Sequence, residues 1–468
     1  MTDGDDADGA TAPIFGFVTP ETLVGFTDLY ELTMLSGYHD AGHTPEATFT
    51  LYFRELPPDR GYLLATGIEQ VLAYLQDLSF PPELVGYLRE QGFPESTLEY
   101  LADLQFTGDV WAVPEGTPVF PDEPILEVTA PLPQAQLVET LLINQVGLGS
   151  LAATTAARIT DVVERHGDGQ AVVDFGSRRA QGVDAGLKVA RAGYVGGFAG
   201  TSNVLAGHRF GLPTVGTMAH SWIQSFPDER AAFEAFVESY GPDATLLVDT
   251  YDTLAGAELA AAVAAESDVP VGGVRLDSGD LVELSRAVAA LFDDLDADLD
   301  VFVSSGLDEY AIREFLTSGG VAAGFGVGTR FASLADAPNL DLVYKLAAVE
   351  RDGGLAPTMK LSTGKTSLPG EKQVFRRTDD GTHVGDVVDV RGADRAGEPL
   401  LEPIVEGGDL VAAVPSLDAI RERAARERRR LPADVRAIES PDTYPVDVGD
   451  DLAALSEGTR ERIRERRG

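Results

Sequence analysis

The chain contains no cysteine, which removes disulfides, thiol nucleophiles and every thiolate-ligated metal site. Lysine is nearly absent too. Only Lys188, Lys345, Lys360, Lys365 and Lys372 occur, so of the 36 Lys plus Arg, 36 − 5 = 31 are Arg. No apolar run approaches the ~18 residues needed to span a bilayer. The opening MTDGDDADGATAP is acidic, unlike a secretion signal. A cytoplasmic protein with no membrane partner is therefore expected. Positive charge is scarce overall: 36 basic against 76 acidic residues give 36 − 76 = −40 at pH 7. Such a surface repels polyanions and argues against a nucleic-acid partner.

What is present fits a globular protein of two or three domains. There are 468 residues, 44% of them hydrophobic, enough for substantial cores. Many carboxylates with few lysines suit a salt-rich cytoplasm, where dense ions screen self-repulsion. A GC-rich genome also favours Arg over Lys, but a net charge of this size goes beyond codon bias. If dispensable lysines have been lost, the five that remain become candidates for chemistry.

Residues 1–13 read as an acidic disordered tail. Asp28 and Glu31 have capping-box spacing ahead of a helical run, LYELTMLSGYHDAG. ATFTLYF reads as a strand, and IEQVLAYLQDL and STLEYLADLQF as helices. The Pro-rich stretch VWAVPEGTPVFPDEPILEV suggests a small β domain, and QLVETLLINQVGLGSLAATTAARI a long helix leading out of it. From about residue 170, seven short β-rich runs alternate with helical segments: AVVDFG, YVGGFAG, TVGTMAH, TLLVDT, GGVRLDS, DVFVSSG and AAGFGVGT. That rhythm predicts parallel strands joined by helical crossovers, in an α/β barrel or, second, an open doubly wound sheet. It stops near residue 340, where DLVYKLAAVE, QVFRR and VGDVVDVRG look like strands returning to the β domain. The segments are expected at 14–135, 136–340, 341–415 and 416–468, the last a helical extension. Its Arg runs alternate with Glu and Asp, a pattern of solvated, salt-bridged helix faces rather than RNA binding.

The unusual polar residues sit where strands end: DFGSRR, AGTSN, GTMAHSW, VDTYDT, RLDSGD, SSGLDE and GVGTR. In parallel α/β folds that rim carries the active site. Gly-rich turns there offer backbone N–H groups to phosphate, and Arg178, Arg179 and Arg275 offer bidentate donors to phosphate or carboxylate. His220 lies at a strand end between a Gly-Thr turn and Trp222. A metal ligand, a general base, a nucleophile and a satisfied core histidine all fit that position. No second histidine has metal-ligand spacing. Asp249 and Asp277, also at strand ends, are placed to orient the imidazole across the mouth.

These motifs in order, from FTDLYELTM to KLSTGKTSLPGEKQVFR, resemble the nicotinate phosphoribosyltransferase family over about three-quarters of the chain. The resemblance implies an irregular α/β barrel of the type II phosphoribosyltransferase kind, with a β domain built from N- and C-terminal segments. It implies transfer of a phosphoribosyl group from phosphoribosyl pyrophosphate to nicotinate, driven by ATP with Mg²⁺ carried on the phosphates. His220 matches the histidine that ATP phosphorylates, and Asp249 and Asp277 the carboxylates that orient it. Tyr30 matches an aromatic that packs on nicotinate, reaching the partner's barrel in a homodimer. Thr217 and Arg275 match nicotinate contacts, and Arg178 the residue at substrate ring and phosphate. Gly306, Gly328 and Thr329 match turns that hold the ribosyl phosphate. Lys360, Lys365 and Lys372 fall in a family signature and are assigned to phosphates, with surface salt bridges the competing reading. The nicotinamide-using sister enzyme has an Asp where Ser202 stands. A neutral donor suits a carboxylate, which an Asp would repel. The zinc-binding cysteines of some members are missing. A nicotinamide or quinolinate phosphoribosyltransferase is the alternative enzyme, and a non-catalytic metabolite-binding relative the alternative class.

Overall fold

The computed structural model describes residues 18–361 and 367–466. The acidic tail and Lys365 lie outside them. Helix Leu29–Asp40 forms as expected, but not through a capping box. The Asp28 carboxylate makes no cap and instead accepts from Thr140 Oγ1 at 2.8 Å. Glu31 is fully buried and accepts from Thr140 N and Oγ1 at 3.1 and 2.9 Å. Tertiary bonds to helix Glu139–His166 have replaced the local cap. Burial raises the Glu31 pKa, while the bonds from Thr27 and Thr140 oppose the rise.

A seven-stranded antiparallel sheet joins the two ends of the chain. Its order is Gly354–Pro357, Leu342–Arg351, Glu46–Phe53, Leu126–Pro131, Asp109–Ala112, Glu402–Glu406 and Asp409–Leu410. Segments before residue 132 and after 341 thus share one ladder, as the returning strand DLVYKLAAVE predicted. QVFRR and VGDVVDVRG do something different. Strands Lys372–Asp379 and Thr382–Val390 pair with each other, flanked by Glu398–Pro399 and Val446–Val448, in a separate four-stranded sheet. Strand alternation alone could not distinguish the two partners, because both sheets bury an apolar face.

Between these ends runs a six-stranded parallel sheet ordered Gly200–Thr201, Ala171–Asp174, Gly324–Val327, Asp300–Ser304, Gly273–Leu276 and Thr245–Leu247. Consecutive strands are neighbours wherever they pair, and the last pairs with the first. That cyclic order is a barrel's; a doubly wound sheet would reverse direction at a switch point. The ring is interrupted between Gly200–Thr201 and Thr245–Leu247. The segment expected as a strand at TVGTMAH fills this gap, held to the sheet by one isolated bridge, Thr201 to Thr214. Leu246, Val274, Leu276, Val303 and Phe325 share one face of the sheet and are fully buried, Phe325 edge-on against Phe315 of helix Glu309–Thr317. Helix Glu139–His166 packs on the first barrel helix, Val183–Val195, and on Glu309–Thr317.

Helix Leu417–Arg429 is tied to the four-stranded sheet by a buried pair. His383 Nε2 lies 2.9 Å from Glu427 Oε2, and Nδ1 lies 3.2 Å from Thr378 Oγ1. Burial favours the neutral carboxyl, but the His383 bond together with Arg426 and Arg430 outweighs it and brings Glu427 down to about 2. The folded value lies below the ordinary 4.5. The pair's contribution is therefore complete above about pH 4.5 and lost as pH falls through about 2. Glu427→Gln should melt below wild type at pH 7, and the gap in melting temperature should close as pH falls from 4.5 toward 2. A gap independent of pH would show that the carboxylate's charge is irrelevant to the tether.

Candidate active site

Arg275, in strand Gly273–Leu276, reaches across the interruption in the barrel. Its Nη1 donates to Thr217 Oγ1 at 2.6 Å and its Nη2 to the Met218 carbonyl at 3.0 Å. Those bonds hold the segment that enters helix His220–Ser225. Burial lowers the Arg275 pKa and Arg178 pushes the same way, while Asp277 and Asp249 oppose both. Arg178 thus stands near enough to repel Arg275. Arg178 and Arg179 are exposed on the turn after strand Ala171–Asp174.

His220 is half-buried, and its Nδ1 lies 3.1 Å from Thr250 Oγ1. Among the described residues no hydrogen bond joins it to Asp249 or Asp277, so the expected carboxylate orientation is corrected to a threonine. Both acids are engaged by strand-end turns. Asp249 Oδ2 accepts from Asp277 N at 2.9 Å and Ser278 Oγ at 2.6 Å, and Asp277 Oδ1 accepts from Ser304 Oγ at 2.5 Å. Free turn N–H and hydroxyl groups beside a carboxylate are satisfied first. Among the described residues, buried Asp249 Oδ1, Arg275 Nε and, on the first rim turn, Ser177 Oγ lack a partner. One free carboxylate oxygen beside Asp277 suits Mg²⁺ that arrives on phosphates and needs one or two carboxylates. No group of three or more His, Asp or Glu that could hold a metal exists among the described residues.

The first two rim turns are pinned by a residue the motif reading passed over. Asp174, 1% exposed, accepts from Gly176 N at 2.7 Å and Thr201 Oγ1 at 2.7 Å. Burial raises its pKa and these two bonds oppose the rise. Ser202 N donates to the Asp174 carbonyl at 2.8 Å, which leaves Ser202 exposed at the mouth. A Cβ at Gly176 would lie 2.8 Å from the Gly328 carbonyl, so only glycine lets the first and last rim turns approach this closely. Ser305 and Gly306 both have positive φ, 96° and 64°, in a tight turn after strand Asp300–Ser304. Gly306 and Thr329 are exposed and Gly328 is half-buried, on turns leaving adjacent strands.

Other predicted residues are not brought together with this cluster. Tyr30 is 45% exposed on helix Leu29–Asp40. Burial raises its pKa, as do Glu139, Glu31 and Asp28, and none of these belongs to the barrel rim. Lys360 is exposed, and its backbone N–H donates to Ser367 Oγ at 3.3 Å. Lys372 is 2% exposed and ion-paired to buried Glu127 at 2.9 Å, with a further bond to the Gly370 carbonyl at 2.5 Å. It cannot reach a substrate phosphate; the sheet needs its charge to neutralise Glu127. Thr250, Asp174 and Ser278 are the site residues that sequence reasoning missed. All three sit inside the quoted motifs, but threonine, serine and a strand-end Asp are ordinary turn residues.

A cyclic parallel sheet with Gly-rich turns and arginines at its C-terminal rim has the architecture of a phosphoribosyltransferase-type barrel. The structure of human nicotinic acid phosphoribosyltransferase superposes with a TM-score of 0.80 at 30% identity, covering 92% of this chain and 99% of that one. That of nicotinate-nucleotide pyrophosphorylase from Pyrococcus furiosus gives 0.72 at 26%, covering 89% and 98%. A nicotinate phosphoribosyltransferase of Mycobacterium tuberculosis is 46% identical over 433 residues, 91% of each chain. One from Bacillus subtilis is 37% identical over 470 residues, covering 93% of this chain and 95% of its own. Models for the nicotinate phosphoribosyltransferase N-terminal domain, family and C-terminal domain match residues 26–147, 170–385 and 389–456. The chain belongs to the nicotinate phosphoribosyltransferase family, enzymes of NAD salvage.

The buried lysine gives a direct check on the correction. Lys372→Met should lower unfolding free energy by about 2 kcal/mol, the scale of one lost charge-assisted hydrogen bond, because Arg391 still pairs with Glu127, as read from a denaturant midpoint. The Michaelis constant for phosphoribosyl pyrophosphate should stay unchanged in the folded enzyme. A raised constant at unaltered stability would return Lys372 to the phosphates.

Proposed function

We propose that the chain joins nicotinate to the ribosyl carbon of phosphoribosyl pyrophosphate, coupled to ATP through phosphorylation of His220. The observation that carries this reading is the Arg275–Thr217 pair beside Arg178: fixed cationic and hydroxyl donors at the half-buried mouth of a body of charge −40. A pyridine carboxylate takes a bidentate guanidinium and a hydroxyl. Ser202, exposed and neutral on the neighbouring turn, adds no repulsion. Nothing covalent is required of the protein in the transfer step. The bond from the ribosyl carbon to pyrophosphate breaks with its electron pair leaving on oxygen, and the pyridine nitrogen supplies the pair for the new bond. The chain positions two anions and offsets charge on the leaving group, through Arg178 and the turns at Gly306, Gly328 and Thr329. Mg²⁺ brought on the phosphates and held by Asp249 and Asp277 would add charge neutralisation there.

His220 has the access its role needs. It is half-buried, and with Nδ1 on Thr250 its other ring nitrogen makes no hydrogen bond among the described residues. An imidazole nitrogen attacks the terminal phosphorus of ATP, ADP leaves, and water later cleaves the phosphoramidate to return the free ring. Tyr30 finds no place in its own chain's mouth, which supports a homodimer in which it completes the partner's site. The enzyme is placed in the cytoplasm. No described helix is long and apolar enough to cross a membrane.

Two measurements test this. His220→Ala should keep slow formation of nicotinate mononucleotide and lose its stimulation by ATP. Stimulation at the wild-type level would remove the histidine from the coupling. In competition, wild type should use nicotinate over nicotinamide, and Ser202→Asp should weaken nicotinate about tenfold or more, the size of one unfavourable charge contact. Preference of the wild type for nicotinamide would overturn the substrate assignment.

A further inference from the structure

The two turns that leave adjacent strands Asp300–Ser304 and Gly324–Val327 are joined by an ion pair that the reaction described so far does not use. Arg330 Nη1 donates to Asp308 Oδ2, and Asp308 Oδ1 accepts from Ala311 N at 2.8 Å, capping helix Glu309–Thr317. The two side chains are unequally placed: Asp308 is 11% exposed and Arg330 59%. The carboxylate is thus spent on the cap and the pair, while the guanidinium has one N–H engaged among the described residues and its side chain is mostly exposed.

The placement raises an electrostatic question. Asp308 lies two residues after Gly306 and belongs to the turn proposed to take the donor's phosphate. An uncompensated carboxylate there would repel a dianion. Arg330 cancels that charge and leaves donors in a rigid fork suited to phosphate oxygens. A lysine would offer only a point charge on a loose stem. Asp308 in turn fixes where the fork stands, because its own position is set by the helix it caps.

We propose that Arg330 binds the 5′-phosphate of the phosphoribosyl donor and that Asp308 is its positioning residue. This rests on the phosphoribosyltransferase reading and adds to it a residue for one end of the donor. The competing role for Arg330 is structural, as a counterion to Asp308, and a double mutant separates the two. If Arg330 only neutralises Asp308, then Asp308→Asn, which keeps a good cap, removes the need for it.

The experiment is steady-state kinetics on wild type, Arg330→Gln, Arg330→Lys, Asp308→Asn and the Arg330→Gln/Asp308→Asn pair, at fixed salt. Wild-type formation of nicotinate mononucleotide is measured first, and its absence would sink the reaction itself rather than this residue. Arg330→Gln should raise the Michaelis constant for phosphoribosyl pyrophosphate about 10- to 100-fold, the range of charge-assisted hydrogen bonds. The constant for nicotinate should move much less. The double mutant should stay as impaired as Arg330→Gln, and Arg330→Lys should recover part of the loss. Inhibition by ribose 5-phosphate should weaken in parallel, and inhibition by pyrophosphate should not. Rescue of Arg330→Gln by Asp308→Asn, an unchanged constant, or weakened inhibition by pyrophosphate alone would each overturn the proposal.

Discussion

The hydrogen bonds from Arg275 to Thr217 and Met218 are what the rest of the site depends on. The parallel ring is interrupted at one place, and the chain crossing that gap has a single bridge to the sheet. A strand ladder would have fixed the gap by backbone alone and left nothing to recognise a ligand. A guanidinium fixes it instead, and holds Thr217, Met218 and, two residues on, His220 relative to the barrel. On the function proposed above, structure and recognition share one side chain. Its buried Nε and the buried Asp249 Oδ1 find no partner among the described residues.

The charge pattern follows from the same constraint. A body at −40 disfavours every anion that approaches it, and this enzyme family handles several anions at once. The cations at the mouth are Arg rather than Lys. A guanidinium stays charged when half-buried beside another and takes two oxygens of a carboxylate or phosphate in a plane. The lysines went elsewhere. Lys372 neutralises a buried glutamate inside the sheet, and Lys188 pairs with Asp184 at 2.5 Å on one helix. At those two positions the scarcity of lysine did not mark a free cation, because a compact point charge is equally useful for burying a carboxylate.

The repeating strand–helix rhythm made the barrel legible, since each unit encodes its own period and its own turn. The rim motifs pointed to His220 and Arg275 for the same reason: a strand end facing a mouth is a local property of the sequence, whereas Thr217 came from the family resemblance. What stayed hidden was tertiary. Glu31 has perfect spacing for a cap, yet it is buried against Thr140, 109 residues away. Asp249 and Asp277 have the right type and position to orient an imidazole, yet turn N–H and hydroxyl groups take them first. TVGTMAH has a strand's composition but no neighbour on one side, so most of it forms no ladder. Strand Lys372–Asp379 chose a new sheet over the existing one, a choice set by packing that alternation does not encode.

A structure of the enzyme crystallised with nicotinate mononucleotide tests the central claim most directly. The pyridine carboxylate should lie within hydrogen-bond distance of the Arg275 guanidinium and Thr217 Oγ1, with His220 still on Thr250 and the 213–219 segment unmoved. A pyridine ring bound away from Arg275, or a segment that shifts to release the guanidinium from Thr217, would contradict it.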